Sequence, residues 1–410
     1  VATTEIPGEP FYLRSDLKTA MAFPLLLVQT PPPVPAMQQS QPSPTAILER
    51  LFTAPTVEAD WFDSSFLTAA PLPEIQKLVG DLRQSLGPLK QVEAQPNFYQ
   101  IDFEKGTVQA QIVLNAQGKI TGLLLQPRPQ GIAVEEAIAQ LKTFPGQVNL
   151  LVQKNGQDLA ALDADTPLGV GSAFKLAVLA ALQQQIKQGD RTWTEVIRLQ
   201  EANKSLPSGI LQDWYDGAPL TLESLATLMI SISDNTATDA IIHHLGRNTI
   251  EPFSPHTQPF LTTRDFFTLK DSANVDLLKR YRDGNEGDRR QVLQELQTRP
   301  LPSANLFDGG NPLAIDVEWL FTPRELCSLM GEVADLSLMQ VNDGGLADAT
   351  QWSTVSFKGG SEPGVMNLTT QLQAEDGTTY CVSATWNNPD AALDEQKLFM
   401  LYSSITAGLN

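Results

Sequence analysis

Residues 169–186 read GVGSAFKLAVLAALQQQI, and the rest of the chain is organised around this stretch. A glycine-bracketed turn ends here, after which Phe174, Ala177, Val178, Ala181 and Leu182 recur at helical spacing. The pattern places Ser172 in the first turn of an apolar helix, where unpaired N–H groups and the helix dipole favour developing negative charge. Lys175, three residues on, falls on the same face. Apolar neighbours would desolvate its ammonium and favour the neutral amine, which suits a proton acceptor. A serine beside such a lysine makes a nucleophile and its base. A capping serine followed by a surface lysine is spelled the same way, so the pair acquires meaning only from partners elsewhere.

The composition bounds the answer. With 410 residues, the chain is long enough for two domains or one large one. Its formal net charge of −19 argues against a polyanionic partner, so nucleic acid is excluded as the first guess. Only two cysteines occur, Cys327 in a helix-like run and Cys381 in a strand-like run, and they are expected to be buried free thiols. His243, His244 and His256 stand in no metal-ligand pattern, and no metal or cofactor is expected. The apolar stretch at 20–28 has nine residues and contains Pro24, too short and too broken to span a membrane. With Arg14 and Lys18 before it, this stretch faintly resembles a signal-peptide core, and the first residue, Val1, suits a processed or trimmed product.

Three segments are expected along the chain. Residues 1–44 hold nine prolines and read as an extended arm or linker. Residues 45–127 read as a small α+β domain, with helices at 45–51 and 74–86 and three alternating strands at 97–103, 107–114 and 120–126. Its order of elements loosely resembles the cone-shaped nuclear-transport-factor/steroid-isomerase domains. Residues 131–410 read as one larger α+β domain. A helix at 134–144 and strands at 148–153 and 158–162 open it; strands at 354–357, 365–373 and 379–386 and a helix at 394–407 close it. Strands at both ends with helices between them imply one mixed sheet in which first and last strands are neighbours, not a doubly wound parallel sheet. Thr262-Thr263-Arg264-Asp265 and Thr322-Pro323-Arg324-Glu325 read as two capping boxes, the second with proline at the first helical position.

Two further tripeptides give the serine its partners. Ser233-Asp234-Asn235 stands at the junction of two helices, and Lys358-Gly359-Gly360 at the end of a strand before a turn. In this order, with Ser172 and Lys175, they match the three-motif signature of penicillin-recognising serine enzymes. From about residue 131 onward, the chain resembles the class A β-lactamase and penicillin-binding-protein superfamily of serine hydrolases.

The resemblance implies the following roles. Ser172 attacks an amide or ester carbonyl, and Lys175 takes its proton. Ser233 shuttles a proton between Lys175, Lys358 and the leaving group. Asn235 binds the acyl side chain, and Asp234 is a structural carboxylate. The backbone N–H groups of Ser172 and Ser361 form the oxyanion hole, while Gly360, with Gly359, lets substrate approach the strand edge. A small-molecule or peptidoglycan-like acyl substrate and a periplasmic or secreted setting are implied as well.

Three departures narrow this expectation. No hydroxyl residue follows Lys358, and Ser361 should point to the other face of the strand. No arginine occurs after Arg324, so the usual carboxylate anchor is missing. The loop at 299–321 contains a single glutamate, Glu318, too late in the loop to be the expected deacylating base. The reading is therefore an acyl-enzyme serine hydrolase, β-lactamase-like but of weak turnover. A peptidoglycan D,D-peptidase and a non-turnover penicillin-binding sensor remain as alternatives.

Overall fold

The computed structural model describes residues 43–307 and 310–409. Residues 1–42 of the expected arm, with the signal-like stretch, lie outside the described residues; its last residues are not arm, since Ser43 caps the helix that Pro44 begins. Helices and antiparallel strands mix throughout, as the α+β expectation required, and form two compact units.

The first unit comprises residues 43–143, Gly344–Trp352 and 394–409. Helices Pro44–Thr53, Ser64–Ala69 and Leu72–Leu86 precede four antiparallel strands, Leu89–Ala94, Tyr99–Phe103, Gly106–Leu114 and Ile120–Pro129, paired in sequence order. Alternate strand residues Ile101 and Phe103, Val108 and Ala110, and Leu123 and Leu125 point inward. They meet Ile47, Leu48 and Leu51 of the first helix and Ile75, Val79 and Leu82 of the third, four and three residues apart on one face. Leu89–Ala94 was not expected as a strand, because it lacks a buried face and its sequence shows no alternation.

This unit extends further than residues 45–127. Helix Val134–Leu141, residues Gly344–Trp352 and the terminal helix Glu395–Ala407 belong to it, not to a single unit spanning 131–410. The terminal helix puts Met400 into the small core, and the Ile132 N–H donates to the Ser404 carbonyl at 3.2 Å.

The second unit is built on a five-stranded antiparallel sheet. Its order is Thr354–Glu362, Val365–Gln373, Thr379–Asn387, Gln147–Lys154 and Gln157–Leu162, so the last strand of the chain lies beside the first of the sheet, as expected. Helix Lys175–Gln188 is buried along its whole first half, from Lys175 to Gln183. A helix apolar on every side belongs in a core, and this one is the core's axis. Helices Leu222–Ser231, Asn235–Leu245, Thr263–Leu269, Val275–Asp283, Glu286–Leu296 and Pro323–Val333 complete the unit.

Both capping boxes form: Thr262 and Thr322 each accept the N–H three residues on, and Asp265 and Glu325 each accept the capping residue's N–H in return. The expected free thiols are a correction: Cys327 and Cys381 form a disulfide. Helix Pro323–Val333 packs against strand Thr379–Asn387, and both cysteines face Leu151 and Ala164. A spacing of 54 residues carried no sign of that pairing. No described helix is long and apolar enough to cross a membrane.

Candidate active site

Ser172 sits in a single 3-10 turn, Gly171–Phe174, that runs directly into helix Lys175–Gln188. Gly171 adopts a left-handed φ of 49°, which a side chain would strain, and the turn projects Ser172 as its one partly exposed residue. Phe174 anchors the turn from below, stacked on Trp319 with ring centroids 3.8 Å apart and edge-on to Phe260.

Lys175 is fully buried, and its Nζ lies 3.1 Å from Ser172 Oγ and 3.0 Å from Ser233 Oγ. It also donates to the Ser233 carbonyl at 2.6 Å and to Asn235 Oδ1 at 2.8 Å. Burial holds its ammonium well below the ordinary lysine range, and the nearby Lys358 charge acts in the same direction; Asp234 and Asp239 oppose them. Two carbonyl-type acceptors take two N–H groups of a neutral amine and leave its lone pair for a hydroxyl proton.

Ser233 takes a left-handed φ of 58°, uncommon for a residue with a side chain, at the break between helices Leu222–Ser231 and Asn235–Leu245. Asp234 holds that break. Its Oδ1 accepts from Ala237 N at 2.7 Å as a helix cap, and its Oδ2 accepts from Ile210 N and Leu211 N at 2.7 and 3.0 Å. Ser208 Oγ donates to the Ser233 carbonyl at 2.7 Å, and Asn235 Nδ2 donates to the Leu206 carbonyl at 3.1 Å. The loop containing Leu206 and Ser208 therefore supports the second motif, a role nothing in its glycine- and proline-punctuated sequence announced.

Lys358 lies within strand Thr354–Glu362, not at its end, because pairing continues through Ser361↔Met366 and Glu362↔Val365. Its Nζ donates to Ser233 Oγ at 3.1 Å and to the Gly359 carbonyl at 2.7 Å. Burial lowers it to about 7. Gly360 faces the turn: a Cβ there would fall inside contact distance of Ser172 N and the Val170 carbonyl. The close approach that requires a glycine is thus made by the protein's own backbone. Ser361 N lies 3.0 Å from where a Cβ on Gly171 would stand, so the backbones of Ser172 and Ser361 are neighbours across this contact.

All seven residues expected to form a site converge: Ser172, Lys175, Ser233, Asn235, Lys358, Gly360 and Ser361. Glu318 is near but differently engaged. Its Oε2 accepts from Gly171 N at 3.2 Å and from Trp319 N at 3.1 Å, and it makes no hydrogen bond to Ser172 Oγ or Lys175 Nζ.

The family model described as the beta-lactamase enzyme family matches residues 133–254. No curated protein sequence matches the chain. Among solved structures, a β-lactamase from Sphaerobacter thermophilus DSM 20745 aligns at 23% identity and TM-score 0.46, covering 67% of this chain and 94% of its own. PBP-A aligns at 16% identity and TM-score 0.45, covering 68% and 97%. A representative class A β-lactamase from Bacteroides cellulosilyticus DSM 14838 aligns at 17% identity and TM-score 0.43, covering 67% and 95%. The residues matched by that family model include Ser172, Lys175, Ser233 and Asn235.

Proposed function

We propose that this protein is a serine hydrolase that acts through an acyl-enzyme on Ser172. The observation that carries the reading is the position of one fully buried amine, Lys175 Nζ, 3.1 Å from Ser172 Oγ and 3.0 Å from Ser233 Oγ. Lys175, whose burial favours the neutral amine, accepts the Ser172 proton as Oγ attacks a carbonyl carbon. Ser233, hydrogen-bonded to both Lys175 and Lys358, passes a proton to the departing nitrogen or oxygen. The N–H groups of Ser172 and Ser361 receive the developing oxyanion, and Asn235 holds the acyl portion.

A second reading concerns turnover, and a specific observation favours it. Among the described residues, no carboxylate hydrogen-bonds Ser172 Oγ or Lys175 Nζ, whose partners are each other, Ser233 and Asn235. Water activation at the acyl-enzyme then lacks a dedicated base, and the adduct persists, as in a D,D-peptidase or a penicillin-binding sensor. The missing arginine beyond Arg324 favours acyl donors that need no bidentate carboxylate anchor. The Cys327–Cys381 disulfide suits an oxidising setting outside the cytosol.

Intact mass spectrometry after incubation with a penicillin, together with turnover of a chromogenic cephalosporin and a p-nitrophenyl ester, tests the proposal. A stable adduct on Ser172 with slow turnover is expected, and Ser172→Ala should abolish both. Absence of adduct and turnover with every acyl donor overturns it.

A further inference from the structure

Directly behind the Ser172 turn lies a buried cluster that the proposed reaction does not use: Lys270, Glu318 and Glu362. Lys270 ends helix Thr263–Leu269, Glu318 precedes the short strand Leu320–Phe321, and Glu362 ends the strand of Lys358. Lys270 and Glu318 have no exposed side-chain surface, and Glu362 has little. Lys270 Nζ donates to Glu362 Oε1 at 2.7 Å, lies 3.8 Å from Glu318 Oε1 and sits 3.9 Å over the Phe266 ring. Glu318 Oε1 has no hydrogen-bond partner, whereas Oε2 receives the N–H groups of Gly171 and Trp319.

An ion pair of this kind is costly to bury, and a second carboxylate makes it costlier, so the group is not explained by stability alone. Its placement is informative. Glu318 fixes the residue before the nucleophile, Glu362 follows Ser361 in the chain, and Lys270 ties the two carboxyls together. Trp319, next to Glu318, stacks on Phe174 at the other end of the nucleophile turn.

We infer that Glu318, held between Lys270 and Glu362, is a positioning residue that aligns the N–H groups of Ser172 and Ser361 into one oxyanion hole. This inference rests on the acyl-enzyme reading of Ser172. Burial, then the neighbouring Glu362 charge, pushes the Glu318 carboxyl well above the ordinary range against the opposing pull of Lys270, which favours its neutral form. A neutral carboxyl accepts the Gly171 N–H as an amide oxygen would. Glutamine is therefore the conservative replacement, and aspartate, shorter by one methylene, is the disruptive one.

The test is the rate of Ser172 acylation by a fluorescent penicillin and by a p-nitrophenyl ester, in full-length wild type, Glu318→Gln, Glu318→Asp and Glu318→Ala. Glu318→Gln should acylate within about threefold of wild type. Glu318→Asp and Glu318→Ala should be slower by about a hundredfold, the scale of a misplacement near 1 Å, with the concentration for half-maximal rate nearly unchanged. Affinity for a boronic acid, whose adduct places an oxygen in the hole, should fall in parallel. If Glu318→Ala does not fold, the Gln and Asp variants decide. Equal rates in all variants, or equal losses in Gln and Asp, overturn the positioning role while leaving the Ser172 adduct intact. A wild-type protein with no Ser172 adduct overturns the underlying reading instead.

Discussion

Among the described residues, the unit of residues 43–143 and the terminal helix buries no charged side chain, whereas the unit around Ser172 buries Lys175, Lys270, Lys358, Asp234, Asp239, Glu251, Asp265 and Glu318. The small unit is held as physical chemistry most simply allows, by aliphatic and aromatic side chains filling the space between helices and a sheet. The other unit has a larger apolar core of the same kind and places ionisable groups at its edge, where each must be matched by donors or by loss of charge. Asp234 receives three backbone N–H groups, and Asp239 receives two, from Thr263 and Arg264. Lys175 and Lys358 instead have their charged forms disfavoured. Buried charge in this protein thus marks where chemistry or its supports lie, and substitutions in the two units should have opposite signatures.

The largest expected effect is on Lys175. Lys175→Met should lower Ser172 acylation by about 10²–10⁴-fold, the usual range for a general base, without loss of thermal stability, because it removes a desolvated amine. Leu82→Ala, at a fully buried position of the small unit, should do the reverse. It should cost about 2–5 kcal/mol of that unit's stability in urea unfolding and leave the acylation rate unchanged. A stability loss in the first variant equal to that in the second would erase the contrast.

Asp234→Ala comes next and should fall in both categories. Three N–H groups lose their acceptor, which costs about 1–3 kcal/mol for each one left buried without a replacement. The left-handed Ser233 is released, so acylation should slow as well. Thermal unfolding and adduct formation, measured on the same preparation, check both halves.

The contrast between units was partly visible in the sequence. The apolar alternation of Ile101, Phe103 and Val108 and the spacing of Ile47, Leu48 and Leu51 announce a core directly, because burial and pattern are one property. The three site motifs were legible for a different reason. Each is a short cluster of chemically specific residue types, and their order along the chain carried the inference that they meet. The Lys270–Glu318–Glu362 cluster had neither aid. Its members are single charged residues 92 or fewer positions apart, of which only Glu318 stands out in the sequence, and only packing brings them together. The Cys327–Cys381 pairing was not expected for the same reason. Helices Val275–Asp283 and Glu286–Leu296 fall in the segment expected to be helical but were not placed individually, because charged residues outnumber the three core contacts of each. The terminal helix was recognised as a helix and assigned to the larger unit, since nothing in an apolar face names the surface that it will cover.

A pH profile separates the two buried lysines that distinguish the units. Acylation should rise with pH as Lys175 loses its proton, at a pH well below the ordinary lysine range. Loss of the Lys358 proton near pH 7, which removes a charged donor to Ser233 Oγ, should oppose that rise. Stability should move the other way on that side. The Lys358 pKa is about 7 when folded against 10.5 as a free side chain, so between these values the unfolded chain binds the extra proton. Folding then grows more favourable as pH rises through that window. The difference in urea midpoint between wild type and Lys358→Met should therefore shift towards wild type from pH 7 to about pH 9. No equivalent shift is expected for Leu82→Ala.

The smallest effect expected is at Asp63, and it tests the comparison from the side of the small unit. Asp63 caps helix Ser64–Ala69, its Oδ1 accepting from Ser65 N at 3.0 Å, and its Oδ2 accepts from Asn115 Nδ2 at 3.0 Å. Hydrogen bonds from Ser65 lower its carboxyl pKa, so the contribution of the charge is present above the ordinary aspartate range and is lost as pH falls through the lowered value. The site is open to water, and solvent screens what the charge adds. Asp63→Asn should thus be close to neutral, because the amide oxygen still accepts, and Asp63→Ala should lower the midpoint slightly more. Neither should change acylation at Ser172. A measurable loss of acylation in Asp63→Ala would mean that the two units are coupled in function, and that charge in the small unit has a role which its uncharged core gives no reason to expect.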